Sequence, residues 1–78
     1  MVTKESLFPE LAKIFNKDVG FFNDDTRFRE DLLAKSMSLF ALVATLEELT
    51  GTAISFNDLR GLTTVGELMT HLQSYEAN

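Results

Sequence analysis

The stretch that decides the fold is Asp31-Leu32-Leu33-Ala34-Lys35-Ser36-Met37-Ser38-Leu39, which leads directly into an apolar segment that ends near Thr50. Residues from Ser36 to Leu49 predict a central helix that is apolar around most of its circumference, as is typical of a helix surrounded by other elements. Ser36 would lie in its first turn, where unpaired backbone N–H groups and the helix dipole favour an anion. A serine in this position is either a simple cap or an attachment point for a phosphate, and the stretch alone leaves both interpretations open.

A first helix is predicted before this stretch. Apolar residues at helical spacing follow Ser6, which is a good N-cap, and they continue to near Asn16. This start places Pro9 in the first turn, where proline is tolerated, and Thr3 could add only an irregular extra turn. The apolar positions of this helix are Leu7, Phe8, Leu11, Ile14 and Phe15.

The segment from Lys17 to Lys35 is a long connection that is rich in turn-forming residues. We expect it to be ordered, because its apolar side chains can attach it to the core. These side chains are Val19, Phe21, Phe22, Phe28 and Leu32.

Two further helices are predicted after the central one. Residues from Ser55 to Gly61 favour a short capped helix. Thr64 and Glu67 then match a capping box, which indicates the start of a final helix. The apolar positions of that final helix are Val65, Leu68, Met69, Leu72 and Tyr75.

No segment alternates between apolar and polar residues as a strand does, so the predicted fold class is all-α. We expect a small bundle of three main helices plus one short helix, formed by residues 1–78 as a single domain. Six large side chains should meet between the central helix and the later elements and form much of the core. They are Phe28, Phe40, Val43, Ile54, Leu62 and Leu68.

The composition restricts the classes of function. The 78 residues include no cysteine, so neither a disulfide nor a thiolate metal site contributes to the fold. Twelve acidic and seven basic residues give a net charge of −5, which disfavours binding to nucleic acid and favours partners with basic surfaces. No stretch is apolar enough for a membrane helix and no signal pattern begins the chain, so we expect a cytoplasmic protein without membrane insertion.

The sequence offers little for catalysis or for metal binding. Its one histidine, His71, lies at the edge of the apolar stripe of the final helix, and we do not expect it to act as a base for Ser36. A single histidine with scattered carboxylates does not form a cluster of metal ligands. The residues therefore predict neither a catalytic centre nor a metal site.

The order of short motifs along the chain resembles that of the acyl carrier protein family, of which it would be an atypical member. That family has an aromatic or apolar residue, then Glu-Asp-Leu, then Asp-Ser-Leu, then an apolar helix that ends in Leu-Glu-Glu. The corresponding residues here are Phe28, Glu30-Asp31-Leu32, Lys35-Ser36-Met37 and Leu46-Glu47-Glu48, followed by Thr63-Thr64-Val65-Gly66 at the start of the last helix. No single motif is specific, but their ordered combination is.

The resemblance implies that Ser36 carries 4′-phosphopantetheine, transferred from coenzyme A by a separate phosphopantetheinyl transferase. The thiol of this group would shuttle acyl groups as thioesters between acyl-loading and acyl-transferring enzymes of fatty-acid, polyketide, lipid or cell-envelope biosynthesis. The protein would then be a monomeric carrier and not an enzyme. The alternative is a carrier-like protein-interaction domain that is never modified.

Several residues around Ser36 depart from the family pattern. Lys35 replaces the aspartate of the family, and Leu33 replaces its usual glycine. Neutral residues stand at two positions where the family commonly has acidic recognition residues. Lys35 is a candidate contact for the prosthetic phosphate, and we expect a specialised carrier whose partners bind Lys35, Met37, Ser38, Ala41, Glu47 and Glu48.

Overall fold

The architecture comes from a computed structural model, which describes residues 2–76; the predicted domain limits at residues 1 and 78 lie outside that range. Within it, the chain forms helices α1 (Lys4–Phe15), α2 (Ser36–Thr50), α3 (Phe56–Arg60) and α4 (Val65–Glu76). A single 3₁₀ turn, Val19–Phe21, interrupts the connection between α1 and α2. The described residues contain no β-strand beyond one isolated bridge, so the predicted all-α bundle of three main helices and one short helix is confirmed.

Helix α1 begins earlier than the sequence predicted. Its cap is Thr3, whose hydroxyl accepts the N–H of Ser6 at 3.3 Å, while the Ser6 hydroxyl accepts the N–H of Thr3 at 3.0 Å. The assignment of Ser6 as the cap was wrong because this reciprocal pair satisfies two backbone donors, whereas Ser6 as the cap would satisfy one. Pro9 consequently lies inside the helix rather than in its first turn.

The core is built mainly from leucines on the three long helices. The side chains that are almost fully removed from solvent are Leu7, Leu11, Leu42, Leu46, Val65, Leu68 and Leu72. Burying side chains of this size stabilises a fold by roughly 1.5–3 kcal/mol each. Since α2 contacts α1, α3 and α4, it is the central helix, as its apolar pattern predicted.

The predicted core set is partly correct. Phe28, Ile54 and Leu68 are buried, while Val43 and Leu62 are half-buried and pack against the core. Phe40, in contrast, is 56% exposed, so its assignment to the core was wrong. Its ring stacks instead on Phe56, with centroids 4.2 Å apart and an interplanar angle of 16°. The apolar band of α2 is wider than the face that the bundle covers, and helical periodicity alone does not show which edge remains outside.

The long connection is ordered, but fewer of its side chains hold it than predicted. Phe22, Phe28 and Leu32 are buried, whereas Val19 and Phe21 are exposed, and the expectation for those two was wrong. Backbone hydrogen bonds join the connection to the start of α4. They are Phe28 N–H to Thr63 O at 3.0 Å, Val65 N–H to Thr26 O at 2.9 Å and Gly66 N–H to Asp24 O at 2.9 Å.

The start of α4 is capped much as the sequence predicted. The Thr64 hydroxyl accepts the N–H of Glu67 at 3.2 Å. The Glu67 carboxylate reaches back to the N–H of Thr63 at 2.9 Å, one residue earlier than the usual reciprocal bond.

Among the helices of the described range, none is long and apolar enough to cross a membrane.

Candidate functional site

The loop that precedes α2 is folded onto itself. Asp31 accepts the backbone N–H of Arg27 at 2.8 Å and lies 3.3 Å from the Arg27 guanidinium, and Ala34 N–H donates to Phe28 O at 2.8 Å. The side-chain hydrogen bond from Arg27, followed by its backbone N–H, lowers the pKa of Asp31 below its ordinary value. The same pair raises the pKa of Arg27. These contacts fix the chain immediately before Ser36.

Ser36 is the first residue of α2 and is exposed. The cap position belongs to Lys35, whose backbone carbonyl accepts the N–H of Leu39 at 3.0 Å and whose side chain makes no capping bond. No described residue forms a hydrogen bond with the Ser36 hydroxyl. The interpretation of Ser36 as a simple cap is therefore wrong, because capping requires the serine oxygen to accept a helix N–H.

Leu33 adopts a backbone conformation that leucine normally avoids. Its φ of 52° lies in the left-handed region, and its side chain is 72% exposed. A left-handed conformation places Cβ close to the backbone and costs a non-glycine residue about 1–2 kcal/mol. The usual glycine of the family would adopt this conformation without that cost.

An open groove of about 460 Å³ lies beside Ser36. Its other lining residues are apolar or cationic: Leu33, Ala34, Leu39, Arg29, Lys35 and Arg60. The sequence indicated Lys35 but not Arg29 or Arg60, which are far apart in the chain. The hydrogen bond from Phe28 to Thr63 joins the two segments that carry these arginines, so only the fold brings them to one groove.

The residues predicted to bind partners are spread along α2. Met37 is 85% exposed, and Lys35, Ala41 and Glu48 are also exposed. Ser38 and Glu47 are half-buried. The Glu47 carboxylate accepts the N–H of Ile54 at 3.0 Å, so Glu47 stabilises the segment that follows the C-terminal end of α2.

Sequence reasoning also missed an aromatic pair near Ser36, formed by the exposed Phe40 and the half-buried Phe56. Phe40 lies one helical turn after Ser36, and its partner Phe56 lies one turn before Arg60 on α3. Residues four apart share a helix face. The stacked rings therefore join the face of α2 that carries Ser36 to the face of α3 that carries Arg60. The signal in the sequence was Phe56, an aromatic residue at the start of a short and mostly polar helix, which was not among the predicted core residues.

His71 lies away from the Ser36 groove. Its Nε2 atom is 3.1 Å from the Tyr75 hydroxyl and 3.8 Å from a carboxylate oxygen of Asp58, and its side chain is half-buried. Among residues 2–76, no group of three or more histidine, cysteine or acidic side chains is placed to hold a metal ion.

Comparison with known proteins gives a consistent result. The family model described as "Phosphopantetheine attachment site" matches residues 6–72. The acyl carrier protein of Renibacterium salmoninarum is 30% identical over 81 residues, covering 99% of this chain and 100% of that protein. The acyl carrier protein of Chlamydia caviae is 39% identical over 57 residues, which cover 73% of this chain and 74% of that protein.

A third relative has a more specialised name. The meromycolate extension acyl carrier protein of Mycobacterium leprae is 30% identical over 79 residues, which cover 96% of this chain and 69% of that protein. The all-α fold, the exposed serine at the start of α2 and these matches agree with the motif pattern. The chain belongs to the acyl carrier protein family, whose prosthetic group is phosphopantetheine.

Proposed function

We infer that Ser36 is the attachment point for 4′-phosphopantetheine and that the protein shuttles acyl groups on it. The observation that carries this proposal is the state of the Ser36 hydroxyl: it is exposed, has no hydrogen-bond partner in the described range, and lies at the first turn of α2 beside a groove with three cations. This environment suits a phosphodiester, because helix N-terminal N–H groups and basic side chains both favour an anion.

The residues around Ser36 have distinct roles in this proposal. The loop held by Arg27 and Asp31 presents the serine, and the unpaired N–H groups of the first turn of α2 would be available to a phosphate attached there. Ser36 needs no neighbouring base, because the transferase catalyses its modification. When bound, phosphopantetheine supplies a terminal thiol that holds acyl groups as thioesters. The chain is then a single carrier domain and not an enzyme.

The proposed partners are a phosphopantetheinyl transferase and acyl-loading and acyl-transferring enzymes in the cytoplasm, with the carrier acting as a monomer. Partners would bind Lys35, Met37, Ser38, Ala41, Glu47 and Glu48, with the exposed ring of Phe40, stacked on Phe56, beside them. Lys35 replaces an acidic residue of the family, and Ser38 and Ala41 are neutral where the family is commonly acidic. A strongly basic docking surface would therefore be repelled by Lys35 and would lack acidic partners beside it. This favours a specialised carrier with dedicated partners over a carrier for general fatty-acid synthesis. The pathway lies within fatty-acid, polyketide, lipid or cell-envelope biosynthesis.

The competing function is a protein-interaction domain that never receives the prosthetic group, and the lysine before Ser36 is the feature that favours it. The test is the intact mass of the protein produced with and without a phosphopantetheinyl transferase of broad specificity. We expect the mass of one phosphopantetheinyl group to be added only when the transferase is present. A folded protein that stays unmodified with several such transferases would contradict the carrier function.

A further inference from the structure

The basic residues of the chain divide into two groups. Of the seven, four have an acidic or aromatic partner in the described structure. Those contacts are Lys4 with Asp24 at 2.9 Å, Lys13 with Glu10 at 3.4 Å, Arg27 with Glu30 and Asp31, and Lys17 above the Phe21 ring at 5.1 Å from its centroid. The remaining three, Arg29, Lys35 and Arg60, have no side-chain partner among residues 2–76, and all three line the groove beside Ser36.

This distribution is unexpected for an acidic protein. With twelve carboxylates and seven cations, the cations have an excess of possible partners, and three unpaired ones in a single groove repel each other. An anion in the groove would remove that repulsion. Two of the three are arginines, whose planar guanidinium groups donate two parallel hydrogen bonds to a phosphate.

We propose that Arg29, Lys35 and Arg60 form a clamp that holds the phosphodiester of the prosthetic group once it is attached to Ser36. This inference rests on the proposed function. It adds Arg29 and Arg60 to Lys35 as contacts of the phosphate, and it predicts that attachment of the group changes the stability of the protein. The family aspartate would repel the phosphate at the position where Lys35 attracts it. The base of the prosthetic arm is thereby fixed to the protein, with Leu33 and Leu39 as the apolar sides of its groove.

The consequence is a difference in stability between the unmodified (apo) and the modified (holo) protein. In the apo protein no anion neutralises the charges of the three cations, and in the holo protein the phosphate neutralises part of them. A ligand or group that interacts with the folded state and not with the unfolded state raises the melting temperature. The clamp contacts are exposed, so added salt should weaken them.

The experiment compares apo and holo protein by thermal unfolding at low and at high salt. The first variant combines Arg29→Gln, Lys35→Gln and Arg60→Gln. A matched control combines Lys4→Gln, Lys13→Gln and Lys17→Gln, which removes the same amount of charge at residues that do not line the groove beside Ser36. We expect attachment to raise Tm by about 4 °C in the unaltered protein and in the control at low salt. We expect this rise to disappear in the clamp variant and to shrink at high salt.

A second measurement reports on the phosphate itself. The ³¹P resonance of the holo protein should shift between the unaltered protein and the clamp variant, and Arg60→Gln alone should give part of that shift. Intact mass confirms attachment in every sample. If no sample gains mass, the proposed function fails and the clamp fails with it. If the proteins are modified but the apo-to-holo rise in Tm and the ³¹P resonance are the same in the clamp variant, the clamp alone is disproved.

Discussion

From Ser36 to Ala41, helix α2 has no fully buried side chain and only Leu39 packs against the core from its edge, whereas from Leu42 onward the helix places Leu42 and Leu46 in the core. The first half of the helix therefore contributes an exposed serine and mainly exposed apolar side chains, and the second half contributes most of the buried apolar surface of the helix. Both halves belong to one continuous helix, so the position of the site is fixed by the core that the other half builds. Substitutions should consequently affect stability in one half and modification or docking in the other.

The largest effect on stability is expected at Leu46, which is fully buried. Leu46→Ala should lower the free energy of unfolding by about 2–5 kcal/mol, because it removes buried methyl groups and leaves a cavity. Denaturant unfolding measures this loss. A loss below about 1 kcal/mol would place Leu46 outside the core and remove the contrast between the two halves.

A smaller effect is expected at Phe40, one turn after the serine. Phe40→Ala should lower the free energy of unfolding by about 0.5–1.5 kcal/mol, since its exposed ring contributes mainly through the stacked pair with Phe56. The sequence, which placed this ring in the core, predicted about 3–5 kcal/mol.

A double-mutant cycle separates the two accounts of Phe40. If the rings act as a pair, Phe56→Ala should cost a similar amount, and the double variant should cost less than the sum of the single variants. A loss of 3 kcal/mol or more for Phe40→Ala alone would show that the ring is part of the core after all.

The case of Phe40 shows what the sequence could predict about the fold. Helix positions, the all-α class and the burial of Leu68 follow from helical periodicity and capping signals, which are local. Periodicity did not separate Phe40 from Leu42, because both lie in an apolar band wider than the covered face of α2. Ser6 and Thr3 are both good cap residues when each is taken alone, and only the reciprocal pair of hydrogen bonds between them makes Thr3 the cap.

The candidate site was predictable to a similar extent. The motif pattern indicated Ser36 and Lys35 as candidates, and these two residues are adjacent in the chain. Arg29 and Arg60 meet only because the connection is hydrogen-bonded to the start of α4, and no local pattern reports that contact. The left-handed conformation of Leu33 could not be predicted from the sequence either, because glycine or asparagine usually occupies such a position and leucine gives no signal for it.

Leu33 allows a test of the loop that leads into the exposed half of α2. Leu33→Gly should raise the free energy of unfolding by up to about 1 kcal/mol, because removing the side chain relieves a cost of about 1–2 kcal/mol, offset in part by the flexibility of glycine in the unfolded chain. The control Leu33→Ala keeps Cβ and should give no such gain. Equal unfolding free energies for the glycine and alanine variants would contradict the strain at this position.

The smallest expected effect concerns pH and the same loop. The pKa of Asp31 is lowered in the folded protein, so its contribution to stability is present above its ordinary pKa and is lost as the pH falls through the lowered folded value. Asp31→Asn should therefore make Tm fall less steeply between neutral and acidic pH. Glu48→Gln, at an exposed residue whose carboxylate has no described partner, is the control. Identical pH profiles for Asp31→Asn and the unaltered protein would rule out the stabilising contact with Arg27.

The central claim is that the exposed half of α2 carries the prosthetic group on Ser36. Ser38 is close in sequence, but it is half-buried and points about 200° around the helix from Ser36. The most direct measurement is the intact mass of Ser36→Ala and Ser38→Ala after treatment with a phosphopantetheinyl transferase and coenzyme A. We predict that Ser38→Ala gains one phosphopantetheinyl group and that Ser36→Ala gains none. Modification of Ser36→Ala, or its loss only in Ser38→Ala, would contradict the account.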